Sequence, residues 1–148
     1  MQIKIWFTAT ALSLALAMPA AAQDASDVME RISLLFGDAE PFVTAYEVIT
    51  EAVVTGDGEA LADYFPYGET LMVNGEAVVL ESEYDLYQRY DELITPAIAE
   101  VVASQPFETL FANADGVMFG DGAMWLSSVC LDEACAETEV KIIALNEP

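Results

Sequence analysis

Histidine is absent from this sequence of 148 residues, and its absence limits the available chemistry more than any residue that is present. Without histidine, Ser-His-Asp and Cys-His nucleophiles and His-containing zinc or haem sites are excluded. Carboxylates and tyrosines remain as catalytic groups. Asp63 is the best placed carboxylate, because it lies in a short predicted helix and could act as a base if burial raised its pKa. A solvated surface position explains the same residue more simply.

Five tyrosines cluster around a predicted hairpin and the helix that follows it: Tyr64, Tyr67, Tyr84, Tyr87 and Tyr90. Such rings could line a site for an apolar or cationic ligand. An amphipathic helix that packs its rings on a sheet explains the spacing equally, and both interpretations stay open. Arg89 could anchor a ligand carboxylate, or it could form an ordinary i, i+4 ion pair with Asp85.

The first 22 residues have the pattern of a secretory signal peptide. Lys4 precedes an apolar run over residues 5–18, and Pro19 and three alanines follow it. We therefore expect cleavage between Ala22 and Gln23, and a periplasmic or secreted protein. The apolar run is short for a membrane anchor, which requires about 20 residues.

The two cysteines, Cys130 and Cys135, predict a structural disulfide in an exported protein. A redox-active pair usually has a C-x-x-C spacing at a helix N-terminus, which this pair lacks. If the two cysteines lie opposite each other in a hairpin, Trp125 faces Val140 on the buried side of the sheet.

This register also makes a prediction for the opposite side of the hairpin. It places Met124 opposite Lys141 and Leu126 opposite Glu139, on the solvent face. The alternation of apolar and polar residues along the two strands agrees with this register.

The charge of the chain after the signal peptide is strongly negative. Residues 23–148 carry three basic residues and all 26 acidic residues, which gives a net charge of −23. Such a surface excludes nucleic acid and anionic membranes as partners. A cationic protein partner is compatible with it, although the even spread of the acids favours simple solubility.

The chain predicts helices first and strands last. Apolar residues at helical spacing predict helices over residues 24–36 and 40–55, the second with Asp38 as its N-cap. Asn74-Gly75 predicts a hairpin of residues 70–73 and 77–80, because a type I′ turn requires positive φ at both positions. Three further helices are expected over residues 59–64, 82–93 and 95–104, and strands over residues 108–145.

Two segments carry a resemblance to a known family. Residues 56–65, Gly-Asp-Gly-Glu-Ala-Leu-Ala-Asp-Tyr-Phe, follow a long amphipathic helix, and residues 116–125, Gly-Val-Met-Phe-Gly-Asp-Gly-Ala-Met-Trp, begin the strand-rich part. This pattern resembles the SnoaL-like, or nuclear-transport-factor-two-like, superfamily. The resemblance implies a single α+β domain over residues 23–148 with a cystatin-like cone. In this fold a curved antiparallel sheet carries the N-terminal helices on its concave face, with a pocket between them.

That superfamily includes ketosteroid isomerases, polyketide cyclases, dehydratases and noncatalytic members, so the resemblance implies a pocket rather than a reaction. We expect an exported, noncatalytic protein that binds a small apolar molecule or a protein partner, with no cofactor and no metal. The alternatives are an isomerase, cyclase or hydratase with a buried carboxylate, and an acidic inhibitor or immunity-type module for a cationic enzyme. A homodimer is also compatible, because open sheets of this superfamily often dimerise. The expected ligand-binding residues are Tyr64, Tyr67, Tyr87, Arg89 and Trp125.

Overall fold

A computed structural model describes residues 23–148, and the predicted signal peptide lies outside the described residues. The described chain forms five α-helices and six strands. They are α1 Ala25–Phe36, α2 Glu40–Thr55, α3 Gly58–Ala62, β1 Thr70–Val73, β2 Glu76–Val79, α4 Glu83–Leu93, α5 Pro96–Ser104, β3 Phe111–Asn113, β4 Gly116–Phe119, β5 Met124–Cys130 and β6 Thr138–Leu145. Over residues 23–148, no helix has the length and apolar character needed to cross a bilayer.

The two long N-terminal helices form where the sequence predicts them. A reciprocal capping box opens α1, in which the Asp24 carboxylate accepts from the Asp27 amide and the Asp27 carboxylate accepts from the Asp24 amide. The N-cap residue of α2 is Ala39 rather than Asp38, although the Asp38 carboxylate accepts from the Glu40 amide at 3.0 Å. Their amphipathic faces bury residues such as Ile32 and Ile49 in one core cluster with the sheet.

The six strands form one open, curved sheet in the order β2-β1-β6-β5-β4-β3. The α+β class is confirmed, but the prediction of a purely antiparallel sheet is wrong. β1 pairs with β6 in parallel, and the other strand pairs are antiparallel. A parallel pair requires a long crossover connection, and the segment from β2 to β5, which includes α4 and α5, supplies it.

The β1–β2 hairpin confirms its turn signal. Asn74 and Gly75 have φ angles of 51° and 81°, as a type I′ turn requires. Thr70 pairs with Val79 at the open end of the hairpin.

The register of β5 and β6 differs from the prediction. Trp125 pairs with Ala144 and Leu126 pairs with Ile142, so that Ile143 is an extra residue in a β-bulge. Leu126 is only 1% exposed, whereas Trp125 is partly exposed on the opposite side. The predicted Trp125–Val140 pair is therefore wrong, and the faces predicted for β5 are reversed, whereas Val140 and Ile142 of β6 are buried as predicted.

The cysteines explain why the predicted register fails. They are bonded as a disulfide with a Cα–Cα distance of 4.7 Å, which confirms the predicted bond. Cys130, however, pairs with Thr138 across the two strands, and Cys135 lies in the connecting loop with a φ of 53°. The Asp132 carboxylate holds that loop by accepting from two backbone amides, those of Ala136 and Glu137. The disulfide thus closes the loop instead of marking a cross-strand pair.

Side chains alternate across the sheet, and the two faces have different environments. The inner face packs against the helices and contributes these buried residues to the core: Leu71, Ala112, Val117, Phe119, Met124, Leu126, Val140, Ile142 and Leu145. The outer face points away from that core. It carries Thr70, Met72, Ala77, Val79, Phe111, Asn113, Met118, Trp125, Ser127, Val129, Glu139, Lys141, Ile143 and Ala144.

The observed register makes a prediction about stability. Leu126→Ala should lower the free energy of unfolding by about 2–5 kcal/mol, because it opens a cavity in a packed core. Leu34→Ala is the matched control, since Leu34 is 80% exposed on α1 and should change stability by about 0.5 kcal/mol or less. Urea denaturation measures both values, and equal losses in the two variants would contradict the register.

The disulfide makes a second prediction. Replacing Cys130 and Cys135 with serine should remove about 2 kcal/mol or less, because the closed loop is short and the Asp132 hydrogen bonds remain. The melting temperature should fall while unfolding stays cooperative. The parent protein in a reducing agent is the control and should unfold like the double variant. A double variant that melts at the parent temperature, or that does not fold, would overturn this prediction.

Candidate functional site

A groove of about 650 Å³ lies on the outer side of the sheet, between residues 65–70 and the adjoining ends of β5 and β6. We call it the outer groove. The Ile142 amide donates to the Tyr64 carbonyl at 2.7 Å, which ties the segment after α3 to β6. Most of its walls are apolar or aromatic, and they comprise Phe65, Pro66, Tyr67, Val129, Leu131 and Ile143 with the polar residues Glu69, Thr70, Glu139 and Lys141 and the disulfide residue Cys130.

Lys141 is the single cation among the residues that line the outer groove. Its Nζ donates to the Asp63 carbonyl at 2.6 Å and forms an ion pair with Glu139 at 2.9 Å. The side chain is 17% exposed. An ammonium group has three donors, and these two partners leave one N–H for an acceptor on a bound molecule.

A second cavity, the inner cleft, lies on the helix side of β6 and has a volume of about 540 Å³. Pro41 and Thr44 of α2 form one wall, and Tyr64 and Val140 lie opposite. Lys141 and Glu139 line the inner cleft as well as the outer groove. The lysine therefore borders both cavities.

The hydroxyl of Tyr67 is buried and has no hydrogen-bond partner. Burial raises the pKa of Tyr67 to about 12, and the charges of Glu83, Tyr87 and Asp63 add to the increase. The phenol therefore stays protonated at neutral pH. A buried hydroxyl without a partner destabilises a fold by about 1–3 kcal/mol, so the structure retains an unfavourable group in the wall of the outer groove.

Three predicted site residues lie around the two cavities. Tyr67 lines the outer groove, while Tyr64 and Asp63 line the inner cleft. Burial and the neighbouring Asp63 raise the pKa of Tyr64. Asp63 is itself exposed, so the structure lacks the burial on which its predicted role as a base depends.

The other predicted site residues are not among the residues that line either cavity. Tyr87 is exposed on α4, and its hydroxyl lies 3.5 Å from the Glu83 carboxylate. Arg89 forms a bidentate ion pair with Glu92 at 2.9 and 3.1 Å, so the predicted Asp85 pair is wrong. Glu92 lies three residues after Arg89 on α4, and its carboxylate accepts both hydrogen bonds from the guanidinium group.

Trp125 lies in the middle of the outer face. Its cross-strand neighbours are Met118 and Ala144. Its indole lies against Gly116, the first residue of β4, and Gly122, in the turn between β4 and β5. A Cβ atom on Gly122 would lie 3.3 Å from the indole Nε1. Trp125 therefore has a packing role at the centre of this face.

Sequence reasoning missed Lys141, Ile143 and Val129 as wall residues. The predicted register put Lys141 on the solvent face but opposite Met124, and it put Val129 of β5 on the buried face, so the three residues were not brought together. Within residues 65–70 only Tyr67 was predicted as a site residue; the other wall residues of this segment had no local signal, because the segment reaches β6 only through the fold.

The site has few features that a carboxylate-based catalyst needs. No polar or charged residue between positions 23 and 148 is fully buried. Surface hydrogen bonds lower the pKa values of Asp24, Glu92 and Asp132. The same residues contain no group of three or more potential His, Cys, Asp or Glu metal ligands. The arrangement is suited to holding a molecule by shape and one charged hydrogen-bond donor.

Comparisons with models of protein families, with curated proteins and with solved structures found no match. The resemblance to the nuclear-transport-factor-two-like superfamily stays a prediction. The functional argument therefore depends on the cavities themselves.

The unpartnered Tyr67 hydroxyl predicts an unusual response to substitution. Tyr67→Phe should raise the free energy of unfolding at pH 7, by up to about 1–3 kcal/mol, because it removes a buried polar group without breaking a hydrogen bond. Tyr84→Phe is the control, since Tyr84 is exposed on α4 and should be neutral. Urea denaturation at pH 7 measures both, and a clear loss of stability in Tyr67→Phe would show that the hydroxyl has a partner.

The same residue predicts a pH dependence. The folded pKa of about 12 lies above the unfolded value of about 10, so the folded state holds the proton longer. The resulting stability is complete below about pH 10 and is lost as the pH rises toward 12. Tyr67→Phe should reduce this alkaline loss, as measured by denaturation between about pH 9 and pH 11. The prediction is contradicted by equal losses of stability in the parent protein and in Tyr67→Phe over this pH range.

Proposed function

We propose that the protein is an exported, noncatalytic binding protein whose outer groove holds a small, mainly apolar molecule with one hydrogen-bond acceptor. The observation that carries this proposal is the combination of mainly apolar walls with a single cation that retains a free donor. A cavity of about 650 Å³ is within the range of small-molecule sites.

The apolar walls supply the driving force for binding. Burial of apolar surface contributes about 25 cal/mol for each Å² removed from water. Pro66, Val129 and Ile143 present such surface from three separate segments, so a ligand would be enclosed from several directions.

The charges around the outer groove favour an uncharged ligand. Lys141 is already neutralised by Glu139, and Glu69 adds a further negative charge to the wall. Residues 23–148 also carry a net charge of −23, which repels anions over longer distances. The Lys141 ammonium would therefore donate to a carbonyl or hydroxyl oxygen rather than pair with a carboxylate.

A fluorescence titration with N-phenyl-1-naphthylamine, an uncharged apolar dye, tests the proposal on the folded protein. We expect saturable binding of one dye for each chain. 2-Octanone should displace the dye more effectively than octanoate or octylammonium, because it combines an apolar chain with an uncharged acceptor.

Variants locate the binding site and its polar anchor. Leu131→Asp should weaken the dye and the ketone alike, because it places a charge in the apolar wall. Lys141→Met should weaken the ketone by about tenfold or more, since a hydrogen bond to a charged group contributes about 1.5–3 kcal/mol, but should spare the dye. Arg89→Met is the matched control, because it also removes a cation paired with glutamate but lies away from the outer groove.

Two results would contradict the proposal. An absence of saturable dye and ketone binding would remove the binding function. Equal effects of Lys141→Met and Arg89→Met on the ketone would remove Lys141 as its anchor.

A further inference from the structure

Helix α4 carries two tyrosine rings on its solvent side. Tyr84 is 68% exposed and Tyr87 is 43% exposed. Glu83 lies one turn before Tyr87 and Asp91 lies one turn after it, so the three side chains share one side of the helix. Both carboxylates are also exposed. We call the surface formed by Glu83, Tyr84, Tyr87 and Asp91 the acid–tyrosine face.

Helix α3 adds two more carboxylates beside this face. A Cβ atom on Gly58 would lie 3.7 Å from the Tyr87 ring, so the first turn of α3 packs against α4. Asp57 and Glu59 flank this glycine and are exposed. The Tyr87 hydroxyl lies 3.5 Å from the Glu83 carboxylate. Desolvation and the charges of Glu83, Glu59 and Asp57 raise the pKa of Tyr87, which agrees with a ring bordered by three acids.

The negative charge of the acid–tyrosine face is not balanced by a basic residue of the described chain. Arg31 is on α1 and Lys141 is on β6. Arg89 is on α4, but it lies two residues from Tyr87 and therefore about 200° around the helix. Glu92 already pairs with it there. The carboxylates around Tyr87 are therefore available to a cation from outside the chain.

The shape of the acid–tyrosine face favours a protein over a small molecule. Its residues line neither the outer groove nor the inner cleft. The solvent side of a helix is convex, whereas small-molecule sites are concave and cover most of their ligand. Exposed tyrosines are typical of protein interfaces, where they often contribute a large share of the binding energy.

We propose that the acid–tyrosine face docks a basic segment of another protein, with arginine side chains against Tyr84 and Tyr87. A guanidinium group is planar and weakly hydrated, so it can stack on a tyrosine ring while its N–H groups pair with a neighbouring carboxylate. The carboxylates of α3 and α4 supply the complementary charge and would steer such a segment toward the rings. The face is separate from the outer groove, and its role does not depend on the function proposed for that groove.

The tyrosine rings give this face a property that charge alone does not. A net charge of −23 attracts a cation to every part of residues 23–148. Only three aromatic side chains in that part of the chain are strongly exposed: Tyr84, Tyr87 and Phe111. Two of them lie on the acid–tyrosine face, so a bound arginine would gain a ring contact there in addition to the attraction of the acids.

Isothermal titration calorimetry with an acetylated decapeptide of alternating arginine and serine tests the proposal on the folded protein. At about 10 mM NaCl, where the Debye length is about 30 Å, we expect saturable binding of one peptide for each chain. The affinity should fall as NaCl is raised to about 0.15 M, because the attracting charges are exposed and become screened.

Substitutions of Tyr87 test the ring contact. Tyr87→Ala should weaken the peptide by about fivefold or more, whereas Tyr87→Phe should stay within about twofold, because it keeps the aromatic face. Phe111→Ala is the matched control, since Phe111 is an equally exposed ring on β3 and should change the affinity by less than about twofold. All three positions are open to solvent, so the variants should fold.

Paired charge substitutions test the location. The double variant Glu59→Gln/Glu83→Gln should weaken the peptide by about fivefold or more, because it removes two carboxylates beside Tyr87. Glu30→Gln/Glu47→Gln is its control. It removes the same charge from exposed positions on α1 and α2, and it should leave the affinity within about twofold.

Three results would overturn the proposal. One is an absence of saturable peptide binding at about 10 mM NaCl. Another is an equal loss of affinity in the two double variants, which would assign the attraction to the charge of the whole chain. The third is a Tyr87→Ala variant that binds as tightly as Phe111→Ala, which would remove the ring from the contact.

Discussion

One extra residue in β6 determines the character of the whole sheet. Because Ile143 has no cross-strand partner, the residues before and after it keep their apolar side chains on the inner face: Val140 and Ile142 on one side of the bulge and Leu145 on the other. Without the bulge, the alternation would turn Leu145 outward and leave Met124 without its inner-face partner. The bulge therefore keeps Leu145 in the hydrophobic core together with Ile142, and the alternate side chains lie on the outer face.

The observed strand pairings also shape the outer groove and the middle of the outer face. Lys141 and Ile143 of β6 line the outer groove, where the ammonium is held by the Asp63 carbonyl and Glu139. The bulge aligns Trp125 with Ala144, and the β4–β5 pairing places Met118 on the other side of Trp125, so that partly exposed apolar side chains follow one another across the strands. The outer groove and the surface around Trp125 thus lie on the same face of the sheet, and residues 65–70 bound the groove.

Local features of the fold were predictable because local physics determines them. The helix Glu40–Thr55 follows from its apolar spacing and from the glycine after it, and the Asn74-Gly75 turn follows from its need for positive φ. The β5–β6 register was not predictable from the sequence. One face of β5 carries Met124 and Leu126 and the other carries Trp125 and Val129, and the two faces are equally apolar. Treating Cys130 and Cys135 as a cross-strand pair decided between them wrongly.

The site was only partly predictable for a related reason. Tyr64 and Tyr67 were identified because aromatic residues beside a predicted hairpin are conspicuous. The role of Lys141 depends on contacts with residues 63–70, and the parallel pairing of β1 with β6 brings that segment close. No local pattern records such a long-range pairing, so a lone lysine in a strand carried no signal of its own.

Cross-strand nuclear Overhauser effects in the isotope-labelled protein test the central claim, the β5–β6 register, most directly. The account predicts backbone contacts between Leu126 and Ile142 and between Ser128 and Val140, with Ile143 lacking an opposite partner. Contacts between Trp125 and Val140 would contradict it. That result would return Trp125 to the core together with Val129, and it would remove Val129 from the wall of the outer groove.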